Sequence, residues 1–279
     1  MLAIGTTGLP SSFEVHMTAS LTELRKRPHT SVSALRTFLS CARKYHLQYT
    51  VRARPDFFPA ALALGSAWHE AVAGWLTGAA EDDALDDQLR DGIRQRLRRD
   101  DIPVLFDDED ENEDGFIEKA VSMFKTFRGS TPRPRKVLAS ELAFETEIVD
   151  PRTGEILGLP VIGAIDAIVI EDNGRGALWE LKTSKKKWSA DQAEFDLQTT
   201  LYRKAARELG FDGVQLRVLV TTKAKTPDVQ RLDIHRNDVD ETELAEVFFG
   251  VHRAIEAGVS HPVRGWQCRS CPYSGACRP

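Results

Sequence analysis

Glu180 and Lys182 stand two residues apart at the end of the apolar run ALWELKT (177–183), and Lys185, Lys186 and Lys187 follow closely. Strand side chains alternate, so in a strand these two share a face while Trp179 and Leu181 take the other. The preceding apolar run, PVIGAIDAIVIE (160–171), carries a single aspartate, Asp166, beside Ile165, Ala167 and Ile168. A lone carboxylate there costs free energy unless it is paired or holds a cation. The turn signal DNGRG (172–176) makes the two runs a hairpin, so Asp166 and Glu180 can converge. Two carboxylates beside an ammonium suit metal-assisted phosphodiester hydrolysis. The carboxylates hold Mg²⁺, and the lysine orients water or stabilises charge on the phosphate. Taken alone, this short and loose pattern is better read as a cross-strand salt bridge at the sheet edge.

Two further segments bear on the choice. In DLQTTLYRKAA (196–206), Gln198 and Tyr202 are four residues apart and share a helical face directly after the Glu–Lys strand. In GSAWHEAVAGWL (65–76), His69 sits among apolar neighbours on a helix, where it is either a structural histidine or a ligand to a divalent ion. The four cysteines form a second set: Cys268, Cys271 and Cys277 in a C-x₂-C-x₅-C tail, and Cys41 far upstream. A C-x-x-C pair reads as metal-binding or redox; structural zinc and a 4Fe-4S cluster both fit four thiolates.

Gly65-x-x-x-His69, Gly163-x-x-Asp166, Glu180-x-Lys182-Thr183 and Gln198-x-x-x-Tyr202, in this order, resemble the RecB-like branch of the PD-(D/E)XK nuclease superfamily. The resemblance implies a restriction-endonuclease-like α/β fold and a metal-dependent deoxyribonuclease acting as an exonuclease. It implies Mg²⁺ or Mn²⁺ held by His69, Asp166 and Glu180 with the Leu181 carbonyl assisting. Lys182 would be the catalytic lysine, and Gln198 and Tyr202 would position DNA or that lysine. Ile165 replaces the proline of the superfamily's name, which leaves the chemistry intact. The segment SVSALRTFLSCARKY (31–45) is similar to the entry helix of iron–sulfur RecB-like nucleases, which include CRISPR-associated adaptation nucleases, the AddB subunit and stand-alone exonucleases. In these, one upstream cysteine and the tail cysteines hold a 4Fe-4S cluster that clamps the chain ends, here Cys41, Cys268, Cys271 and Cys277. Ala42 departs from a proline frequent at that position. A non-catalytic DNA-binding or complex-assembly module retaining fold and cluster is the rival reading, disfavoured because every catalytic position is kept.

The elements that must position these residues follow from patterning. Apolar steps of three and four from Leu35 to Tyr45 predict a helix with Ser31 or Ser33 as its cap. A second helix is expected after Gly65, and further helix over 82–127, interrupted by the acidic block DDEDENED (107–114). Strands are expected over 137–149, 160–171, 177–183 and 214–222, and helices over 190–209 and 239–256. The division expected is a weakly structured lead (1–28), a helical domain carrying Cys41 and His69 (29–135), a nuclease core (136–258) and an iron–sulfur tail (259–279), with Met17 a second candidate start.

The 42% hydrophobic and 28% charged residues describe an ordinary globular protein. No apolar run approaches the roughly 18 residues of a membrane span, and the start lacks the marks of a secretory signal, so a cytoplasmic address is expected. The net charge is −5, but without the seven acidic residues of 107–114 the rest of the chain stands at +2. That block begins like a calcium-binding loop but has Val121 where a bidentate glutamate is needed, so a solvated acidic loop is expected. Lys185, Lys186, Lys187, Lys223 and Lys225 would guide DNA phosphates without reading sequence. The chain has no phosphate-binding G-x-x-x-x-G-K-[ST] loop, so ATP-driven unwinding would need a helicase on a separate chain.

Overall fold

The computed structural model describes residues 19–99, 101–108 and 110–278. Residues 1–18 of the expected lead, Met17 included, lie outside them. The end of that segment is a one-turn helix, Leu21–Leu24, closed by a capping box between Ser20 and Glu23, and its Leu24 is buried with Ala143 and Ile162. Helix α1 (Val32–Ser40) is capped by Ser31, whose hydroxyl accepts the Ala34 N–H at 3.2 Å. The continuous helix expected to Tyr45 breaks at Cys41, which is extended (φ −166°, ψ 108°) before a second turn, Ala42–Tyr45. The break turns the Cys41 sulfur toward Val263 of the tail, whose N–H it accepts at 3.3 Å.

Helix α2 (Ala60–Thr77) starts five residues before Gly65. Its buried stripe of Ala63, Leu64, Ala67, Trp68, Ala71, Val72 and Trp75 outweighs the roughly 1 kcal/mol that an interior glycine costs. Helices α3 (Asp82–Leu97) and α4 (Glu113–Ser130) follow. The acidic block between them is largely exposed, as expected, but its last two residues are helix and not loop. Asn112 caps α4, Glu113 and Asp114 lie in its first turn where the helix dipole favours them, and Glu111 pairs with Lys119.

Five strands make one sheet in sequential order: β1 (Lys136–Thr146), β2 (Val161–Ile170), β3 (Gly176–Ser184), β4 (Gln215–Thr222) and β5 (Val229–Ile234). Within this sheet β3 and β4 pair in parallel and the other neighbours antiparallel, and a parallel pair needs a crossover connection. Helix α5 (Leu197–Glu208) supplies it. Sequence patterning misses β5, a six-residue strand of which only Ile234 is buried. Helix α6 (Asp238–Glu256) closes the fold. Ala167, Val169, Ala177, Trp179, Leu181 and Leu219 pack on α2, α3 and α4. Ile165, Ile168, Leu178, Val218 and Val220 pack on α1, α5 and α6. The sheet is therefore a middle layer between two sets of helices. Among the described residues no helix is long and apolar enough to cross a membrane.

Candidate active site

The β2–β3 ladder runs from Ile170↔Gly176 to Ala167↔Trp179 and stops one pair short of Asp166 and Glu180. Where it stops, a side chain takes over. Asp166 Oδ2 accepts the Leu181 N–H at 2.7 Å, and Oδ1 faces His69 Nδ1 at 3.1 Å. His69 arrives from α2, placed one position round from buried Trp68. Burial alone would lower its pKa, but the carboxylates of Asp166 and then Glu141 overcome this and hold it at about 10.

Glu180 is 1% exposed. The Lys182 ammonium lies against its Oε1 without a hydrogen-bonding direction, and Oε2 has no hydrogen-bond partner. Burial and repulsion from Asp166 raise its pKa to about 8, against the opposing pull of Lys182. A buried carboxylate with an unpartnered oxygen is what a divalent cation would satisfy, so the donor set fits such an ion. Burial opposes the charge of Lys182, but Glu180 and Asp166 prevail and raise its pKa, keeping it an ammonium.

Helix α5 brings Gln198 and Tyr202 to the same place. Lys182 Nζ donates to Gln198 Oε1 at 2.9 Å, Gln198 Nε2 donates to the Tyr202 hydroxyl at 2.8 Å, and that hydroxyl donates to the Ala164 carbonyl. Burial, with Glu180 and Asp166 nearby, pushes the Tyr202 phenol well above its usual pKa and keeps it neutral. The helix expected over 190–209 is split: Ala190–Glu194 ends before Asp196, whose carboxylate caps α5 by accepting from Gln198 and Thr199. Its other oxygen takes Arg36 of α1 at 2.5 Å, and Arg36 also donates to Gln198 at 3.3 Å.

Sequence reasoning missed three residues here. Arg36 and Asp196 are joined across 160 positions, and nothing local marks the pair. Glu141 sits on β1 between the pairs Ser140↔Ala167 and Leu142↔Ile165, opposite Asp166, at φ +49°. Its carboxylate lies 3.6 Å from His69 Nδ1. His69, Glu141 and Asp166 have ligand atoms all within 4.8 Å of one another; Glu180 is not in that set.

The motif glycine Gly163 is explained by packing. A Cβ there would lie 2.5 Å from Phe144 Cζ, and the Phe144 ring meets Tyr202 edge-on at 5.8 Å between centroids.

The lysines expected to guide DNA are mostly occupied. Lys223 pairs with Asp107 at 3.0 Å, Lys185 donates to the Asp107 carbonyl at 3.1 Å, and Lys187 pairs with Asp228 at 2.5 Å. Lys186 and Lys225 are exposed.

The four cysteines are free thiols lining one cavity with Lys44, Arg264 and Arg278. No three of their sulfurs lie within 4.8 Å of one another. Besides these thiols, Arg43 and Asp56 hold the tail. Arg43 Nε donates to Ser260 O at 2.7 Å, and Asp56 accepts from Gly275 N–H at 2.8 Å and Ser274 Oγ at 2.9 Å.

A mixed sheet carrying these groups at the opening of its second and third strands defines a class, the metal-dependent nucleases of the PD-(D/E)XK type. Residues 29–278 match the model of the PD-(D/E)XK nuclease superfamily, and the chain belongs to that superfamily, whose members use divalent metals. A protein of Eubacterium rectale described as a "putative exonuclease" shares the fold: 16% identity, TM-score 0.55, covering 91% of this chain and 92% of that one. The structure of SSO0001 aligns at 17% identity over 92% of this chain and 91% of that one, with a TM-score of 0.40. No curated protein matches the chain in sequence.

Proposed function

We propose that the chain is a metal-dependent DNA exonuclease of the RecB-like branch, hydrolysing phosphodiester bonds at DNA ends or in single strands. The observation that carries this is the buried Glu180 carboxylate with its unpartnered oxygen, between Asp166 and Lys182. Superfamily membership and the name of the Eubacterium rectale neighbour support the same reading. His69, Asp166 and Glu180 hold Mg²⁺ or Mn²⁺, assisted by the Leu181 carbonyl. When bound, the ion supplies Lewis acidity to the scissile phosphate and acidifies the attacking water. Lys182 stays protonated and stabilises the charge growing on the phosphoryl oxygens. Gln198 fixes the direction of that ammonium, Tyr202 and Arg36 fix Gln198, and Asp166 holds the end of β3 through Leu181. Lys185, Lys186, Lys187, Lys223 and Lys225 line the approach for backbone phosphates, and unwinding is left to a helicase on another chain. A cytoplasmic location belongs to this reading.

Cys41, Cys268, Cys271 and Cys277 are assigned to a 4Fe-4S cluster joining the tail to the helical region. Tetrahedral zinc needs sulfurs about 3.8 Å apart, given Zn–S bonds of about 2.3 Å. Lys44, Arg264 and Arg278 line the same cavity and would offset the net negative charge of such a cluster.

Mg²⁺-dependent cleavage of end-labelled DNA tests the assignment: Glu180→Ala and Lys182→Ala should abolish it. Equal cleavage by wild type and both variants overturns the site and leaves a non-catalytic DNA-binding module. Iron and acid-labile sulfide in anaerobically purified protein test the cluster, and zinc without iron refutes it.

A further inference from the structure

The carboxylates gathered at His69 are not the pair expected from the motifs. His69 Nδ1 lies 3.1 Å from Asp166 Oδ1 and 3.6 Å from Glu141 Oε1. An octahedral divalent ion with bonds of about 2.1 Å separates neighbouring ligand atoms by about 3.0 Å and opposite ones by about 4.2 Å. The two separations from Nδ1 fall within that range, and ligand atoms of the three residues all lie within 4.8 Å of one another. Glu180 adds an independent sign that a ligand belongs here, since its fully buried Oε2 has no hydrogen-bond partner.

Glu141 occupies its place at a local cost. It lies within a strand, yet its backbone is left-handed, a region that a non-glycine residue enters only when surroundings compel it. The ladder pairs on both sides of it are regular, Ser140↔Ala167 and Leu142↔Ile165, so the departure is confined to the residue facing Asp166. Its side chain is 43% exposed, so burial does not hold it there.

We propose that Glu141 is a further metal ligand, sharing one divalent cation with His69 and Asp166. This rests on the metal-dependent reading above. It gives the site a carboxylate on β1 in addition to those on β2 and β3, and it leaves Glu180 divided between the cation and Lys182. The left-handed residue directs a carboxylate into the site from a position that would otherwise continue the ladder.

The test is Mn²⁺ binding by the full chain, read from the electron paramagnetic resonance of free Mn²⁺ and from calorimetry, without DNA. The variants are Asp166→Asn, Glu141→Gln and Glu141→Gly, each with a thermal melt. Each should weaken Mn²⁺ binding on the order of 10- to 100-fold, and the Gly variant should melt at or above the wild-type temperature because it tolerates the left-handed backbone. If Asp166→Asn binds Mn²⁺ as wild type does, the metal-site reading itself fails. If Asp166→Asn weakens binding and both Glu141 variants bind normally, that reading stands. Glu141 is then only an ion-pair partner of His69, and the inference is overturned.

Discussion

Asp166 Oδ2 accepts the Leu181 N–H at 2.7 Å, joining two strands at the point where their ladder has already ended. One carboxylate thus holds the end of β3 with one oxygen and faces His69 with the other. The two duties separate by substitution. Asp166→Asn keeps an oxygen for Leu181 but loses the charge, so it should fold with a melting point within a few degrees of wild type. Cleavage should fall by about 10²-fold or more, the usual loss on removing one transition-state group. Asp166→Ala also leaves the buried Leu181 N–H unpaired, costing about 1–3 kcal/mol in addition. Chemical denaturation with cleavage assays checks both; equal stability of the two variants would remove the positioning role.

Gly163 acts on the site at one remove. A methyl at this position must displace the Phe144 ring, which supports Tyr202 edge-on, and Tyr202 holds Gln198 beneath Lys182. Gly163→Ala should cost about 1–3 kcal/mol through overpacking and slow cleavage. Adding Phe144→Leu, which vacates the space, should recover part of the stability. A double-mutant cycle reads the coupling, and strictly additive losses would sink the account.

The metal-free protein should lose stability as pH rises. His69 has its folded pKa raised to about 10 from an ordinary 6.5, so its contribution is complete below 6.5 and is lost as pH rises through 10. Glu180 is raised to about 8 from 4.5, so the stability tied to its proton is complete below 4.5 and is lost as pH rises through 8. Both slopes have the same sign. In chelator, melting temperature should fall between about pH 5 and 10. Glu180→Gln should flatten the lower part of the fall and His69→Gln the upper part. Saturating Mg²⁺ should reduce the whole fall by binding the folded state. A melting temperature rising over this range would contradict both assignments.

How far these relations could be read beforehand depends on their distance along the chain. The hairpin carrying Asp166 and Glu180 was legible because alternation and the DNGRG turn are local signals, and the Gln198–Tyr202 face because helical spacing is local too. His69 entered through an ordered set of motifs, since nothing near it in sequence points to Asp166. Arg36 and Asp196 left no trace, being an ion pair between helices whose packing the sheet decides. Glu141 was hidden for another reason: read as an alternating strand residue, it gives no sign of the left-handed backbone that aims it at His69. The fifth strand was missed because an edge-strand pattern of mixed polar and apolar residues resembles a loop.

The acidic block and the lysine rim, which sequence treats as separate features, meet in the fold. Lys223 Nζ bonds Asp107 Oδ2 at 3.0 Å, and Lys185 Nζ lies 3.7 Å from Asp108 Oδ1. Phosphates that use these lysines must first displace the two aspartates. The Lys185–Asp108 pair is exposed and worth at most about 1 kcal/mol, so a polyanion wins that competition at low salt, while the half-buried Lys223–Asp107 pair yields less readily. Asp107→Asn with Asp108→Asn should therefore tighten single-stranded DNA binding several-fold at low ionic strength. The salt dependence should steepen by roughly 0.7 in log–log slope for each lysine newly committed to a phosphate. Fluorescence anisotropy on a labelled single strand across a salt series measures both quantities. Unchanged affinity and slope in the double variant would take Lys185 and Lys223 out of the DNA path.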